Sequence, residues 1–160
     1  MKPFKRRRYH ALRDILTDLQ GLFARRKEMA PLMQGHALAP AFRERLMMVV
    51  TEVNACRYCA YYHARQALVE GIEEEELTNL AAGEFGESPA EERAALLYAQ
   101  HFADSNGVPE PAARARLVAI YGAPNADAIE LTLRIIRTAN LLGNTFDYLL
   151  YRLTFGHLGA

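Results

Sequence analysis

The sequence predicts an all-α domain, and three observations support this fold class. Apolar residues make up 51% of the 160 residues and recur at intervals of three and four along most of the chain, which is the period of an amphipathic helix. No segment shows the strict apolar–polar alternation that is typical of a strand. No linker or low-complexity stretch divides the sequence, so we predict one domain over residues 1–160.

The first helix is predicted over residues 9–28, where apolar side chains return every three or four positions. A loop is expected next, with room for a short helix over residues 29–34. Residues that interrupt helices mark this loop: Pro31, Gly35 and Pro40.

Two helices are predicted around the most informative segment of the chain. One runs over residues 41–53, and the next runs over residues 55–70 with Asn54 as its N-cap. Gly71 is expected to end it. The four glutamates 73–76 then open a short helix, where carboxylates suit the positive end of the helix dipole and are expected to be solvated.

The second half of the chain is also predicted to be helical. Ser88 and the following proline resemble a capped helix start, so a helix should run from there to about Ser105. Another helix should begin at Pro109 and close near Tyr121–Gly122. From Pro124 a long apolar segment continues towards Leu153, with a break or kink expected at Gly143–Asn144.

Charge and targeting signals restrict the class of partner and location. Lysine plus arginine total 19 and aspartate plus glutamate total 19, so the net charge is zero, and neither a nucleic-acid nor a membrane partner is expected. The basic first ten residues lack a following apolar run, so we interpret them as a solvated helix entrance or subunit contact rather than a signal peptide. A cytoplasmic protein is predicted.

Low net charge and an apolar C-terminal segment favour self-association. Copies with no net charge do not repel one another strongly. The final residues are rich in aromatic and aliphatic side chains, and their packing against a second copy would remove this surface from water. We therefore expect a homo-oligomer.

The two cysteines of the chain, Cys56 and Cys59, precede a histidine, His63, at spacings that return to one helix face. A helix N-terminus and a nearby imidazole both lower the pKa of a thiol. Cys59, with His63 four residues later, is the better candidate for the attacking thiolate. Cys56 is well placed to resolve an oxidised Cys59 as a disulfide. No cofactor is required by this chemistry.

Two other interpretations of these residues remain open. Cys56, Cys59 and His63 offer three metal ligands, although a second cysteine pair or paired histidines typical of zinc sites is absent from the sequence. Buried cysteines can also be purely structural. A non-catalytic module that binds a metal or senses oxidants through its thiols is therefore an alternative to an enzyme.

The segment 40–72 resembles the core of the AhpD/carboxymuconolactone decarboxylase-like family. Glu44, Cys56, Cys59 and His63 match the family pattern of a glutamate, a cysteine twelve residues later, a C-x-x-C pair and a histidine four residues beyond. The resemblance implies a homo-oligomeric helical fold and thiol-dependent reduction of hydroperoxides. Within it, Cys59 would be the peroxidatic nucleophile, Cys56 the resolving thiol and proton donor, and Glu44 with His63 a proton relay.

One position departs from AhpD, and the family has a second branch. AhpD has a histidine between its cysteines where this chain has Tyr58, and a phenol is not a base at neutral pH, although it can donate a hydrogen bond. Glu52 is a rival carboxylate, for which a surface role is expected. The resemblance implies a lipoyl-bearing protein or a peroxiredoxin as the reducing partner. The alternative branch is lactone decarboxylation, which needs no redox cysteine pair.

Overall fold

The computed structural model describes residues 3–159, and within them the secondary structure is helical throughout, as predicted. The helices follow one another with short connections. They are α1 (Leu12–Ala24), α2 (Arg26–Met33), α3 (Pro40–Asn54), α4 (Arg57–Val69), α5 (Glu74–Ala82), α6 (Arg93–Asp104) and α7 (Pro111–Leu153). None of these helices combines the length and the apolar character needed to cross a membrane.

Helix α3 lies at the centre of the fold. It packs against α4, α5, α6 and α7, and every residue from Phe42 to Thr51 is buried. Pro40 begins the helix, where its missing N–H removes no hydrogen bond. Leu46 and Val50 are fully enclosed and join side chains of α6 and α7 in the main apolar core.

Charged side chains on the buried helix α3 are paired inside the protein. Arg45 donates from Nε and Nη2 to the carboxylate of Glu76 on α5 at 2.7 and 3.0 Å, and its Nη1 lies 3.3 Å from Glu92. The Ser88 hydroxyl also donates to Glu76, at 2.6 Å. Glu76 is thus buried and does not belong to a solvated helix start, contrary to the expectation for residues 73–76.

Several predicted helix limits were wrong because side chains or packing act against local signals. The segment predicted as one helix is divided at Arg25 into α1 and α2, and α2 includes Pro31. Ser88 caps no helix, because its hydroxyl bonds to Glu76, and α6 starts only at Arg93. The break expected near residues 121–122 is confirmed. Gly122 has a non-helical conformation, φ 76° and ψ 158°, at a kink within α7.

The basic N-terminal segment is not a solvated entrance, because it packs against α7 and α6. Arg6 is paired with the fully buried Asp147 of α7, and the Arg8 guanidinium lies 3.7 Å from the ring centroid of Tyr148. Arg7 donates to the Ala103 carbonyl and to a carboxylate on α6. The positive charges of this segment therefore stabilise the fold of the same chain.

Two surfaces of the described part of the chain expose groups of large apolar side chains. On α1, no residue is buried, and its larger apolar residues are mostly exposed. On the C-terminal part of α7 and the residues after it, a second group is exposed in the same way. These residues are Leu12, Leu16, Leu19 and Phe23 in the first group, and Phe146, Leu149, Leu153 and Phe155 in the second.

We predict that Arg45→Ala lowers the free energy of unfolding by about 3 kcal/mol, because Glu76 and Glu92 would keep buried carboxylates without their cation. Chemical denaturation measures this change. The control is Arg13→Ala, whose side chain is 87% exposed and which should cost less than about 1 kcal/mol. Equal effects of the two substitutions would contradict the structural role of Arg45.

Candidate active site

The two cysteines lie at the junction of α3 and α4. Helix α3 ends at Asn54, Ala55 adopts a left-handed conformation at φ 55°, ψ 42°, and Cys56 is the N-cap of α4. The Cys56 carbonyl accepts the first hydrogen bond of α4, from Ala60 N–H at 2.8 Å. The prediction of Asn54 as the N-cap was wrong, since Asn54 still belongs to α3 and its side chain turns to α7.

The Cys56 and Cys59 sulfur atoms lie 2.7 Å apart, and both cysteines are free. Cys56 is 1% exposed, whereas Cys59 is only partly buried. The N-cap position of Cys56 places the two side chains within one turn, so little backbone movement separates the dithiol from a disulfide. The structure thus brings the predicted thiols together and leaves Cys59 as the more accessible one.

The contact between the two thiols shifts the acidity of both. The neighbouring Cys59 thiol lowers the pKa of Cys56 to about 6, with smaller contributions from the backbone amides of Cys59 and Tyr58, and these outweigh the effect of burial. The pKa of Cys59 is raised, first by its hydrogen bond to Cys56 and then by burial. The two sulfur atoms therefore share a proton, and the pair ionises more readily than an isolated cysteine.

Glu44 and His63 form a second pair, which connects α3 to α4. His63 Nδ1 lies 2.7 Å from Glu44 Oε2, and both side chains are largely buried. Arg43 donates to the other oxygen of the same carboxylate, at 3.1 and 3.3 Å. A carboxylate on Nδ1 orients the ring and leaves Nε2 as the nitrogen that can accept a proton in the neutral imidazole.

The thiol pair and the Glu44–His63 pair are neighbours along α4 without direct hydrogen bonds. His63 follows Cys59 by one helical turn, so their side chains share a face of the helix. Within residues 3–159, no hydrogen bond joins Glu44 or His63 to either sulfur. A relay between the two pairs therefore needs a bridging molecule, such as water or the substrate.

Tyr58 is 55% exposed and lies at the outside of the site. Its hydroxyl accepts a hydrogen bond from Arg57 Nη2 at 3.1 Å, and the guanidinium lies 4.9 Å from the ring centroid. The tyrosine thus faces solvent beside Arg57.

The side chain of Glu52 faces α5 and α6 and not the thiols. It is half-buried and lines a cleft of about 200 Å³ together with residues of α5 and α6. Burial raises the pKa of its carboxyl group. The expected surface role of Glu52 is only partly right, because its carboxyl group is partly shielded from solvent. The carboxylate that contacts His63 is that of Glu44.

Helix α7 supplies polar residues that the sequence interpretation missed. The side chain of Asn140 is fully buried and bonds to Thr51 and Asn54, at the end of α3. Asn144 donates to the Asn54 carbonyl at 2.8 Å. The signal was present in the sequence as asparagines four residues apart within an apolar helix.

The predicted kink at Gly143–Asn144 was wrong, because α7 continues through these residues. A Cβ atom at Gly143 would lie 3.5 Å from the Cys56 sulfur. The helix backbone thus passes beside the thiol at a distance where an added methyl group would make ordinary van der Waals contact, and the glycine does not break the helix. Local helix propensity alone gave the opposite interpretation.

A separate cleft of about 570 Å³ lies between the N-terminal segment, α1 and α7. Arginine and aspartate side chains line it, and Arg137 and Asp18 form an ion pair there at 2.6 Å. None of the predicted site residues lines this cleft. Within residues 3–159, no group of three or more histidine, cysteine or acidic side chains is arranged to hold a metal ion.

The sequence was compared with protein families, curated proteins and solved structures. The model of the carboxymuconolactone decarboxylase family matches residues 20–101, which is just over half of the chain. The chain belongs to this family. The comparison with curated proteins and that with solved structures each gave no match.

The matched part of the carboxymuconolactone decarboxylase family model runs from α1 to α6 and includes the whole α3–α4 junction. Both cysteines, Glu44 and His63 lie inside it. The resemblance seen in the sequence is thereby confirmed at the level of the family. Asn140 lies outside the match, on α7.

We predict that alkylation of the reduced protein by iodoacetamide has a rate that rises with pH and is half-maximal near pH 6, where the Cys56 thiol ionises. In Cys59→Ala the ionisation midpoint of Cys56 should move up towards about 8.5, the ordinary value for a thiol, because its partner thiol is gone. Quenched alkylation with mass spectrometry gives the wild-type rates, and ultraviolet thiolate absorbance gives the midpoint in Cys59→Ala, where the remaining thiol is buried. An unchanged midpoint in Cys59→Ala would contradict the thiol–thiolate pair.

Proposed function

We propose that this protein is a thiol-dependent peroxidase that reduces hydroperoxides through Cys56 and Cys59, with Glu44 and His63 as a proton relay. The observation that carries the proposal is the contact of two free thiols at 2.7 Å beside a bonded carboxylate–imidazole pair. A thiolate is the reactive form of cysteine, and the low pKa of Cys56 supplies one charge to the pair at neutral pH.

Access to substrate favours Cys59 as the attacking sulfur. Cys56 is 1% exposed and is enclosed by α7, whereas Cys59 is partly open. Transfer of the shared proton from Cys59 to Cys56 moves the negative charge to the accessible sulfur. This transfer also leaves a proton on Cys56, where the next step needs it.

In the first step the Cys59 thiolate attacks the terminal oxygen of the hydroperoxide. The S–O bond forms as the O–O bond breaks, so the sulfur is oxidised to sulfenic acid and the peroxide is reduced. The leaving alkoxide takes the proton of the Cys56 thiol and departs as an alcohol. Cys56 is then a thiolate again, next to the sulfenic acid.

In the second step the Cys56 thiolate attacks the Cys59 sulfur and forms the disulfide. Hydroxide leaves and becomes water with a proton delivered by way of His63, whose ring is oriented by Glu44. An external dithiol then returns two electrons and two protons by thiol–disulfide exchange. We propose a lipoyl-bearing protein or a peroxiredoxin as the source, and a reducing cytoplasm as the location.

We further propose that the protein acts as a homo-oligomer. The exposed apolar side chains of α1 and of the C-terminal part of α7 support this assembly, because a second copy would remove them from water. The zero net charge of the chain opposes association little.

Cys59→Ser should abolish peroxide turnover, because the attacking thiolate is lost. Cys56→Ser should allow a single oxidation and then stop, with a sulfenic acid on Cys59 that dimedone traps. Peroxide consumption with an excess of dithiol, followed by peptide mass spectrometry, distinguishes the two variants. Wild-type turnover by Cys59→Ser, or a dimedone adduct on Cys56 in that variant, would contradict the assigned roles.

Glu44→Gln should slow closure of the Cys56–Cys59 disulfide after peroxide attack by about a hundredfold, since general acid–base groups typically contribute factors of this order. The amide keeps the size of the side chain but cannot stabilise a protonated His63. Stopped-flow detection of disulfide formation across a pH series provides the measurement, with Glu70→Gln at the exposed end of α4 as the control. Rates equal to wild type at every pH would remove Glu44 from the relay.

A further inference from the structure

Asn140 is held in a fixed position beside the cysteines by two residues of α3. Its Oδ1 accepts a hydrogen bond from Asn54 Nδ2 at 3.1 Å, and its Nδ2 donates to the Thr51 hydroxyl at 3.2 Å. Both partners lie in the final turn of α3, immediately before Cys56. The amide is completely shielded from solvent, so its orientation is set by these two bonds.

One N–H group of the Asn140 amide has no hydrogen-bond partner within residues 3–159. A primary amide carries two N–H groups, and the Thr51 hydroxyl takes one of them. Gly143, one turn further along α7, brings the helix against the Cys56 sulfur, since a Cβ atom at this position would lie only 3.5 Å from it. The face of α7 that carries Asn140 therefore lies against the Cys56 sulfur, close to the unpaired N–H group.

The pKa shifts of Cys56 and Cys59 are consistent with an Asn140 amide close to both sulfur atoms. The Asn140 side chain lowers the pKa of Cys56 and also that of Cys59. A donor acting on one sulfur alone would favour a single location of the charge. Asn140 acts on both, although the two cysteines have opposite net shifts.

We propose that Asn140 is a thiolate-stabilising residue, whose second amide N–H donates to whichever sulfur carries the negative charge as the proton moves between Cys56 and Cys59. A buried anion needs a hydrogen-bond donor to replace water. A donor already oriented by Thr51 and Asn54 serves both locations without reorganisation of the site. The proton movement belongs to the proposed peroxidase cycle, but the stabilisation of the thiolate is a property of the resting dithiol.

The test compares the pH dependence of iodoacetamide alkylation in wild type and in Asn140→Ala. The midpoint should rise by about one pH unit when the donor is lost, since hydrogen bonds to a charged form shift its pKa by this order. At pH 6 the thiolate fraction would then fall from about one half to about one eleventh, which slows alkylation about fivefold. Asn140→Leu, which keeps about the volume of the side chain and removes both donors without adding a charge, should shift the midpoint to the same extent.

The matched control is Asn144→Ala, since Asn144 is also fully buried on α7 and donates to the carbonyls of Asn54 and Arg7. Thermal unfolding should show that both alanine variants are less stable. Only the Asn140 variants should shift the alkylation midpoint. If Asn140→Ala does not fold, Asn140→Leu decides the question with the same measurement.

An unshifted midpoint in a folded Asn140 variant would overturn the inference, as would an equal shift in Asn144→Ala. The alkylation experiment uses no peroxide, so its result is independent of turnover. A wild-type protein that is alkylated normally but consumes no hydroperoxide would overturn the peroxidase proposal. The Asn140 comparison would still decide whether this residue stabilises the thiolate.

Discussion

The burial of α3 is the constraint on which the rest of the structure depends. Neighbouring helices surround it, so each polar group on it must find a partner inside the protein. Arg45 binds acidic side chains from α5 and from the segment before α6. Glu44 binds Arg43 and His63. These bonds tie the central helix to its neighbours, and the last of them fixes the position of α4.

The candidate site follows from the way in which this buried helix ends. Two residues, Ala55 and Cys56, reverse the chain into α4, so one cysteine becomes the N-cap and the other lies in the first turn. The amide of Asn140 closes the same junction from α7. Packing that stabilises the fold therefore also orients the thiols. The N-terminal segment holds α7 in place through the ion pair between Arg6 and Asp147.

The sequence predicted the helical class, and it named four residues that the structure brings into two contacting pairs, because both depend on local spacing. Cysteines three residues apart, a histidine four further on and a family pattern reaching back to Glu44 are all visible in the chain. Contacts between distant segments were not visible. Asn140 lies 81 positions after Cys59 in the sequence, and only packing shows that it bonds to the end of α3. The same is true of Ser88, which looked like a helix cap but bonds to Glu76.

The most direct test of the proposed thiol cycle is a count of free thiols in the reduced protein before and after reaction with an organic hydroperoxide. The cycle predicts that two thiols per chain are lost for each peroxide consumed, and that a Cys56–Cys59 disulfide appears in the peptide map. Thiols that survive an excess of hydroperoxide would contradict it, and would favour the decarboxylase activity or a structural role for the pair.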